Sequence, residues 1–170
     1  MRIAGLLRES VVDGPGVRFV VFGQGCPHRC PECHNPETWD PAGGVRQTPR
    51  EIMREIRRAP AVVKGLTLSG GEPFQQAAEM AELARRAREK GYHVTTYTGY
   101  LYEDLAAKAE SDEGIAALLA ATDLLVDGPF IAAAKDIALR FRGSANQRLI
   151  DLAASRQAGK VVLLPDEATG

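Results

Sequence analysis

The sequence has little of what marks several common classes of protein. Its 170 residues include 21 Lys or Arg against 22 Asp or Glu, so it has no excess of positive charge with which to bind a polyphosphate backbone. We therefore expect no nucleic-acid partner. No apolar run approaches the length of a membrane span, and the first residues lack the apolar segment and cleavage site of a secretory signal. These absences predict a cytoplasmic protein with no membrane contact.

Cysteine is scarce as well, and its placement is unusual. The three cysteines, Cys26, Cys30 and Cys33, lie within eight positions. Three thiols cannot all pair in internal disulfides, and in a reducing compartment such a cluster more often indicates metal or redox chemistry. The sequence also has no convincing Ser-His-Asp set and no paired carboxylates for acid–base catalysis. The cysteines therefore predict a metal centre.

The composition, and the lack of a linker between segments, predict a single globular domain. Hydrophobic residues make up 45% and charged residues 25% of the chain, which is ordinary for a soluble globule. We find no repeat, no low-complexity tract and no Gly- or Ser-rich linker, and the length suits one domain. We expect this domain to span residues 1–165, with a flexible tail at 166–170. For Trp39 and the apolar helical stripe that includes Met80 we expect core positions.

Short strand-like runs alternate with helical segments along the chain. Runs rich in β-branched, aromatic or leucine residues and bounded by Gly or Pro predict strands. They lie at residues 18–23, 65–69, 93–98, 123–127 and 160–164. This alternation predicts a mostly parallel sheet with helical crossovers. A complete eight-stranded barrel needs about 250 residues, so we expect an α/β fold with a partial, open β/α barrel.

The helices predicted between these strands have recognisable ends or faces. Thr48 and Glu51 fit a capping box with proline at the first helical position. Residues 75–90 form a strong amphipathic pattern. Two further helices are predicted at residues 101–109 and 113–121.

Glycine and polar residues follow each of the first four predicted strands. The cysteine loop follows the first strand, and the later strands end in SGGEPF (69–74), TGY (98–100) and DGPF (127–130). Ligands of parallel α/β sheets bind at the carboxyl ends of the strands. We therefore expect one functional site at this edge of the sheet.

The cysteines alone leave two kinds of metal centre open. Structural zinc takes four ligands, so His28 or His34 would have to complete the set from a crowded position in the same loop. An iron–sulfur cluster is held by thiolates on separate irons and tolerates one iron without a protein ligand. Three cysteines then suffice, and the open position can bind a small molecule. A non-catalytic zinc-binding interaction module remains the alternative from a different functional class.

Several segments together resemble a known family. The spacing C-x3-C-x2-C, followed by Gly70-Gly71-Glu72 after the next strand, resembles the radical S-adenosylmethionine (SAM) superfamily. DGPGVRFVVFGQGC (13–26) and CHNPETW (33–39) resemble its branch that activates glycyl-radical enzymes. Three later segments resemble members that act on anaerobic ribonucleoside-triphosphate reductase: TYTGYLYEDL (96–105), LLVDGPFI (124–131) and FRGSANQRLID (141–151).

The resemblance implies a set of cofactor-binding residues. It implies that Cys26, Cys30 and Cys33 bind a 4Fe-4S cluster, whose remaining iron binds the amino and carboxylate groups of SAM. The implied SAM contacts are Glu32, Cys33, His34, Ser69, Gly70, Gly71, Glu72, Thr98 and Gly99. The residue before the third cysteine is commonly aromatic in the wider superfamily. Because this residue is Glu32 here, we expect backbone groups of Glu32 and Cys33 to bind the adenine. His34 either stacks on the adenine or has only a structural role in the loop.

Alternatives that need no ligand remain for several of these positions. Gly70 and Gly71 also suit a tight strand-to-helix turn, and Thr98 with Gly99 also suits a turn that ends a strand. For Glu72, the resemblance leaves two partners open, namely a cationic amino group of SAM and the SGGEPF loop itself.

The implied activity is that of an oxidoreductase that activates another enzyme. SAM is cleaved reductively, and the 5'-deoxyadenosyl radical takes a hydrogen atom from a glycine of anaerobic ribonucleoside-triphosphate reductase. A low-potential donor such as flavodoxin supplies the electron. Pyruvate formate-lyase or another glycyl-radical enzyme is the alternative partner. The candidates for contacting the partner's peptide are Asp13, Arg18, Asp127, Arg142 and Asn146, with a structural turn as the alternative for Asp13 and a solvated surface position for Arg142.

Overall fold

A computed structural model of the chain describes residues 1–165, and the tail predicted at 166–170 lies outside these residues. The strands are β1 (Arg2–Ser10), β2 (Arg18–Gly23), β3 (Val45–Arg46), β4 (Gly65–Gly70), β5 (His93–Tyr97), β6 (Leu124–Asp127) and β7 (Arg148–Asp151). The α-helices are α1 (Pro49–Arg57), α2 (Ala77–Glu89), α3 (Tyr102–Ala109), α4 (Glu113–Ala121) and α5 (Leu152–Ala158). Short 3-10 helices span Pro36–Thr38, Pro73–Gln76 and Ala132–Ala134.

All seven strands form one mixed sheet in the order β3-β1-β2-β4-β5-β6-β7. The central strands β2, β4, β5 and β6 are parallel, whereas β1, β3 and β7 pair antiparallel with their neighbours. The α/β class with a mostly parallel centre is therefore confirmed. In the described part of the chain the two outer strands do not pair with each other, so the sheet is open. Its curvature into a partial barrel stays a prediction.

The predicted central strands are confirmed to within about one residue at each end, but the predicted last strand is wrong. Residues 160–164 make only an isolated bridge between Leu163 and Ile150. Strand β7 takes the pairing position beside β6 instead. The sequence prediction missed β7 and β1, and it described residues 37–47, which contain the short β3, as a loop. These three strands pair antiparallel and lack the continuous apolar run typical of buried parallel strands.

Helix ends agree closely with the capping signals. Thr48 and Glu51 form the expected reciprocal capping box at the start of α1. Helix α4 matches its predicted range, and its N-cap Asp112 accepts a hydrogen bond from the backbone N–H of Ile115. Helix α2 begins two residues later than predicted because Pro73–Gln76 forms a 3-10 turn first. None of the helices in residues 1–165 has the length and apolar character needed to cross a bilayer.

The main core lies between the sheet and its helices. The α2 stripe that includes Met80 and Leu83 is fully buried there, as predicted. The core position predicted for Trp39 is wrong, because this side chain is only half-buried, in the loop between the cysteines and β3. The sequence prediction failed because a lone aromatic in a loop carries no periodic signal that distinguishes core from surface.

Arg18 is completely buried at the amino end of β2, where it starts the strand. Its guanidinium donates hydrogen bonds to the carbonyl oxygens of Pro15 (2.7 Å), Leu66 (2.7 Å) and His93 (2.9 Å), and to the Thr67 hydroxyl (2.6 Å). Burial lowers the pKa of Arg18 to about 10. The predicted contact of Arg18 with a partner peptide is therefore wrong, because a fully buried side chain cannot reach another molecule. Arg18 instead fixes the turn before β2 to the sheet.

We predict that Arg18→Met destabilises the fold by about 2–4 kcal/mol, because it leaves buried carbonyl groups without a donor. The same change at the exposed Arg50 of α1 is expected to shift the free energy of unfolding by at most about 0.5 kcal/mol. Urea unfolding followed by circular dichroism measures both. Equal stability of the two variants would contradict the structural role assigned to Arg18.

Candidate functional site

The cysteine loop follows β2 and is attached to the chain beyond it. The backbone N–H of Gly25 donates to the Thr38 carbonyl (2.7 Å), and that of Cys26 donates to the Trp39 carbonyl (3.2 Å). These bonds close the loop at its base. All three cysteines are free thiols of intermediate exposure. The loop therefore presents three accessible sulfur atoms at the carboxyl end of a central strand.

The backbone of this loop is strained and directs donors toward sulfur. Arg29 (φ 48°) and Glu32 (φ 58°) are two of the three non-glycine residues with positive φ in residues 1–165. Such strain often occurs at functional sites. Burial raises the pKa of the Cys26 thiol, while hydrogen bonds from the backbone N–H groups of His28 and Arg29 act in the opposite direction. The Asn35 N–H donates to the Cys33 sulfur (3.4 Å). This donor set suits thiolate ligands of an iron–sulfur cluster.

Glu72 joins the cysteine loop to the ends of two parallel strands. Its carboxylate is 2% exposed and accepts hydrogen bonds from the Gly99 N–H (2.8 Å), the Thr98 hydroxyl (3.0 Å) and the Phe74 N–H (3.1 Å). The ring nitrogen Nε2 of His28 lies 2.8 Å from the same carboxylate. The sequence prediction left the partner of Glu72 open. In the structure Glu72 accepts from its own loop at Phe74 and also lies against the cysteine loop at His28, a contact that the sequence prediction did not name.

The two glycines before Glu72 pack against the base of the cysteine loop. The Gly71 N–H donates to the Gly23 carbonyl (2.8 Å), and a Cβ at Gly71 would lie 2.4 Å from the Gly25 carbonyl oxygen. Gly70 has φ +87°, and a Cβ there would lie 2.6 Å from the Gly23 nitrogen. Because the backbone at Gly70 and Gly71 lies so close to the backbone of residues 23–25, both positions require glycine even without a ligand. A ligand contact at these glycines stays a prediction.

Both histidines of the loop contact aromatic residues that follow other strands. The rings of His28 and Tyr100 meet edge to face with centroids 4.5 Å apart, and those of His34 and Phe130 are 5.4 Å apart. His34 is exposed, and its stacking on adenine stays a prediction. The loop is therefore in contact with residues that follow β5 and β6. No pattern in the sequence indicates these aromatic contacts.

Three of the candidates for contacting the partner's peptide lie where β6 and β7 meet. Asp127 is fully buried and accepts hydrogen bonds from Arg148 Nε (3.0 Å) and the Tyr102 N–H (2.8 Å). Asn146 is exposed and donates to the Pro129 carbonyl (2.8 Å), and Arg142 donates to the Gln147 carbonyl (3.2 Å). Because Asp127 is fully buried, its predicted contact with the partner's peptide is wrong, and it positions Arg148 instead. Asn146 is exposed and Arg142 is half-buried.

Tyr97 bonds to this region and lies near Asp13, the remaining candidate. The Tyr97 hydroxyl donates to the Phe141 carbonyl (2.7 Å). Burial and the nearby Asp13 carboxylate raise the pKa of Tyr97, whereas Arg18 lowers it. The Ser10 hydroxyl donates to the Asp13 carboxylate, which agrees with a structural turn. The sequence prediction missed Tyr97, although an aromatic residue at the end of a predicted strand was a signal available to it.

The structure gives no preformed site for a single metal ion. In residues 1–165 no three His, Cys, Asp or Glu side chains lie close enough to share one ion. His28, one of the two histidines that the zinc alternative could use, lies against Glu72 instead. A four-iron cluster is larger than one ion and is held by ligands on separate irons, so it suits cysteines that are further apart.

Comparison with known proteins gives the class and then the family. The sequence model described as "4Fe-4S single cluster domain" matches residues 12–150. The anaerobic ribonucleoside-triphosphate reductase-activating protein of Vibrio cholerae is 37% identical over 145 residues, which are 81% of this chain and 90% of the relative. Its Escherichia coli K12 counterpart is 33% identical over the same shares of both chains. The chain therefore belongs to the family of radical SAM proteins that activate anaerobic ribonucleoside-triphosphate reductase.

Two further similarities are weaker. The pyruvate formate-lyase-activating enzyme of Clostridium pasteurianum is 40% identical over 106 residues, but these are 59% of this chain and 44% of the relative. The crystal structure of QueE from Escherichia coli covers 58% of this chain and 51% of its own, with a TM-score of 0.46 and 18% identity. That overlap is too loose to assign the fold.

We predict that Gly71→Ala prevents stable incorporation of the cluster, because the new Cβ would collide with the Gly25 backbone at the base of the cysteine loop. Overpacking of about 1–3 kcal/mol corresponds to retention of the cluster that is weaker by roughly five- to 150-fold. Gly5→Ala is the matched control, because a Cβ at Gly5 has no atom within 4 Å. Iron and sulfide content after anaerobic reconstitution measures the effect. Full cluster content in Gly71→Ala would contradict the close packing described above.

Proposed function

We propose that this chain generates the glycyl radical of anaerobic ribonucleoside-triphosphate reductase. The observation that carries the proposal is the junction at Glu72, which holds a loop of three free cysteines against the ends of the next two parallel strands. The reductase-activating relatives match this chain over 90% of their own length, whereas the pyruvate formate-lyase relative matches over 44%. That difference in coverage favours the reductase as partner.

The three cysteines supply the ligands of a 4Fe-4S cluster in this proposal. Cys26, Cys30 and Cys33 bind three of its irons, and SAM completes the fourth. When bound and reduced, the cluster supplies the single electron that cleaves SAM into methionine and the 5'-deoxyadenosyl radical. Flavodoxin, or a donor like it, provides that electron. The chain contributes positioning and exclusion of water rather than acid–base catalysis.

SAM binds along the carboxyl edge of the sheet, which we propose curves as a partial barrel. Backbone groups from Ser69 to Gly71 face its methionine part, and Thr98 and Gly99 face its ribose. Glu72 orients Thr98 and Gly99 by accepting hydrogen bonds from both. The adenine is held by backbone groups of Glu32 and Cys33, with His34 beside it.

The partner's glycine loop approaches beside the end of β6. Asn146 and Arg142 lie at this surface, and Arg148 is held there by Asp127 and Glu103. Asp13 lies near Tyr97, whose hydroxyl donates to Phe141 in this region. Arg18 supports the Asp13 turn from within the fold and makes no contact with the partner.

We predict that Glu72→Gln weakens SAM binding about tenfold, because the amide replaces a carboxylate that accepts from Gly99, Thr98 and Phe74. An amide NH2 group would also face the donor of one of these residues. Anaerobic calorimetry on cluster-loaded protein measures the affinity. Glu89→Gln makes the same change at an exposed position and is expected to leave affinity unaltered. Unchanged affinity in Glu72→Gln would contradict the role given to the junction.

The proposed activity has a direct test. Reconstituted protein, dithionite and SAM are expected to yield 5'-deoxyadenosine, and adding the reductase is expected to yield a glycyl radical in the paramagnetic resonance spectrum. Cys30→Ala should abolish both because one cluster ligand is lost. Radical formation on pyruvate formate-lyase but not on the reductase would support the alternative partner. Absence of turnover in protein with a complete cluster would refute the activity.

A further inference from the structure

The cysteine loop also borders a cleft whose lining includes none of the residues proposed to contact SAM. A cleft of about 360 Å³ borders Cys26 and lies on the β1 side of the loop. Its lining includes Arg2, Arg29, Trp39 and Pro41. The residues proposed to contact SAM after β4 and β5 do not line it. We name it the Arg29 cleft. It gives a large partner access to Cys26 without crossing the SAM site.

The lining of the Arg29 cleft is positively charged. It holds two arginines and includes no aspartate or glutamate. Arg29 is exposed and forms no ion pair within residues 1–165. Arg2 donates only to the Gly43 carbonyl (3.0 Å) through its side chain in that part of the chain. Two uncompensated cations beside a shallow cleft attract an acidic surface and raise the rate of encounter with it.

The only tryptophan of the chain forms part of the same cleft. The Trp39 carbonyl accepts a hydrogen bond from the Cys26 N–H, so the two residues are adjacent in space. The indole Nε1 is buried and has no hydrogen-bond partner within residues 1–165. A half-buried aromatic surface thus lies between bulk solvent and the Cys26 backbone.

We propose that the Arg29 cleft is the docking site for an acidic, low-potential flavoprotein, and that its electron reaches the cluster at the Cys26 corner. This inference rests on the proposed function, which requires a one-electron donor. The reduced flavin loses one electron and the oxidised cluster gains one, with no bond made or broken. The donor and the partner enzyme then use different sides of the cysteine loop.

The other arginine-rich surface fits such a donor less well. Two clefts along α1 contain several arginines, but they also contain Glu51 and neither is bordered by a cysteine. Arg58 of this surface pairs with Glu55 (3.0 Å), which compensates part of its charge. A donor bound there would not contact the cysteine loop. The α1 surface therefore provides the matched control.

The first test measures how fast the cluster accepts electrons. Stopped-flow bleaching of the cluster is recorded with reduced flavodoxin and, separately, with dithionite. We expect Arg29→Glu to lower the ratio of the flavodoxin rate to the dithionite rate about five- to tenfold at low salt. Arg2→Glu should act in the same direction, and Arg29→Lys should retain most of the ratio. Arg50→Glu on α1 should leave the ratio unchanged.

The second test detects docking independently of turnover. Incorporation of 5-fluorotryptophan gives this chain a single fluorine resonance, at Trp39. Unlabelled flavodoxin is expected to shift or broaden that resonance in the wild type and much less in Arg29→Glu. An unperturbed resonance, or an equal loss of rate in Arg50→Glu, would overturn the proposal. These two tests measure docking and reduction of the cluster, and neither depends on cleavage of SAM. A failure of SAM cleavage with dithionite would refute the proposed function and would leave the docking proposal to be decided by these tests.

Discussion

The hydrogen-bonded carboxylate of Glu72 is the contact on which the geometry of the site depends. A buried charge is tolerated only when donors compensate for its lost hydration. Glu72 obtains these donors from Thr98 and Gly99 after β5 and from His28 in the cysteine loop. Segments far apart in sequence are thereby held at fixed positions. The carboxylate thus couples the position of the cysteine loop to the ends of the parallel strands.

This coupling has a consequence for metal binding. His28 lies in hydrogen-bond contact with Glu72 and packs against Tyr100, so its ring is held by the strand ends. The three cysteines of the same loop remain half-exposed. If these cysteines hold a cluster, His28 would not be placed to bind its remaining iron while it stays at Glu72. In the proposed function the junction would therefore help to leave that iron to an external ligand, as well as arrange the loop.

Features that arise from local sequence patterns were predicted correctly, whereas features that depend on tertiary contacts were not. The parallel strands and capped helices arise from local patterns, and these were predicted to within one or two residues. Strands β1 and β7 were missed because both pair antiparallel and lack the continuous apolar run typical of buried parallel strands. Arg18 and Trp39 were misplaced because burial of a charge and exposure of an aromatic depend on tertiary contacts. The grouping of motifs at one sheet edge was foreseen, whereas the hydrogen bonds between them required the three-dimensional structure.

The most direct measurement concerns the ligand of the fourth iron. Electron–nuclear double resonance is recorded on the reduced, cluster-loaded protein, with 15N either in all histidines or in the amino group of SAM. The account predicts coupling from the SAM nitrogen and none from histidine. Coupling from a histidine nitrogen in the presence of SAM would contradict it, because the chain would then fill the position that SAM needs.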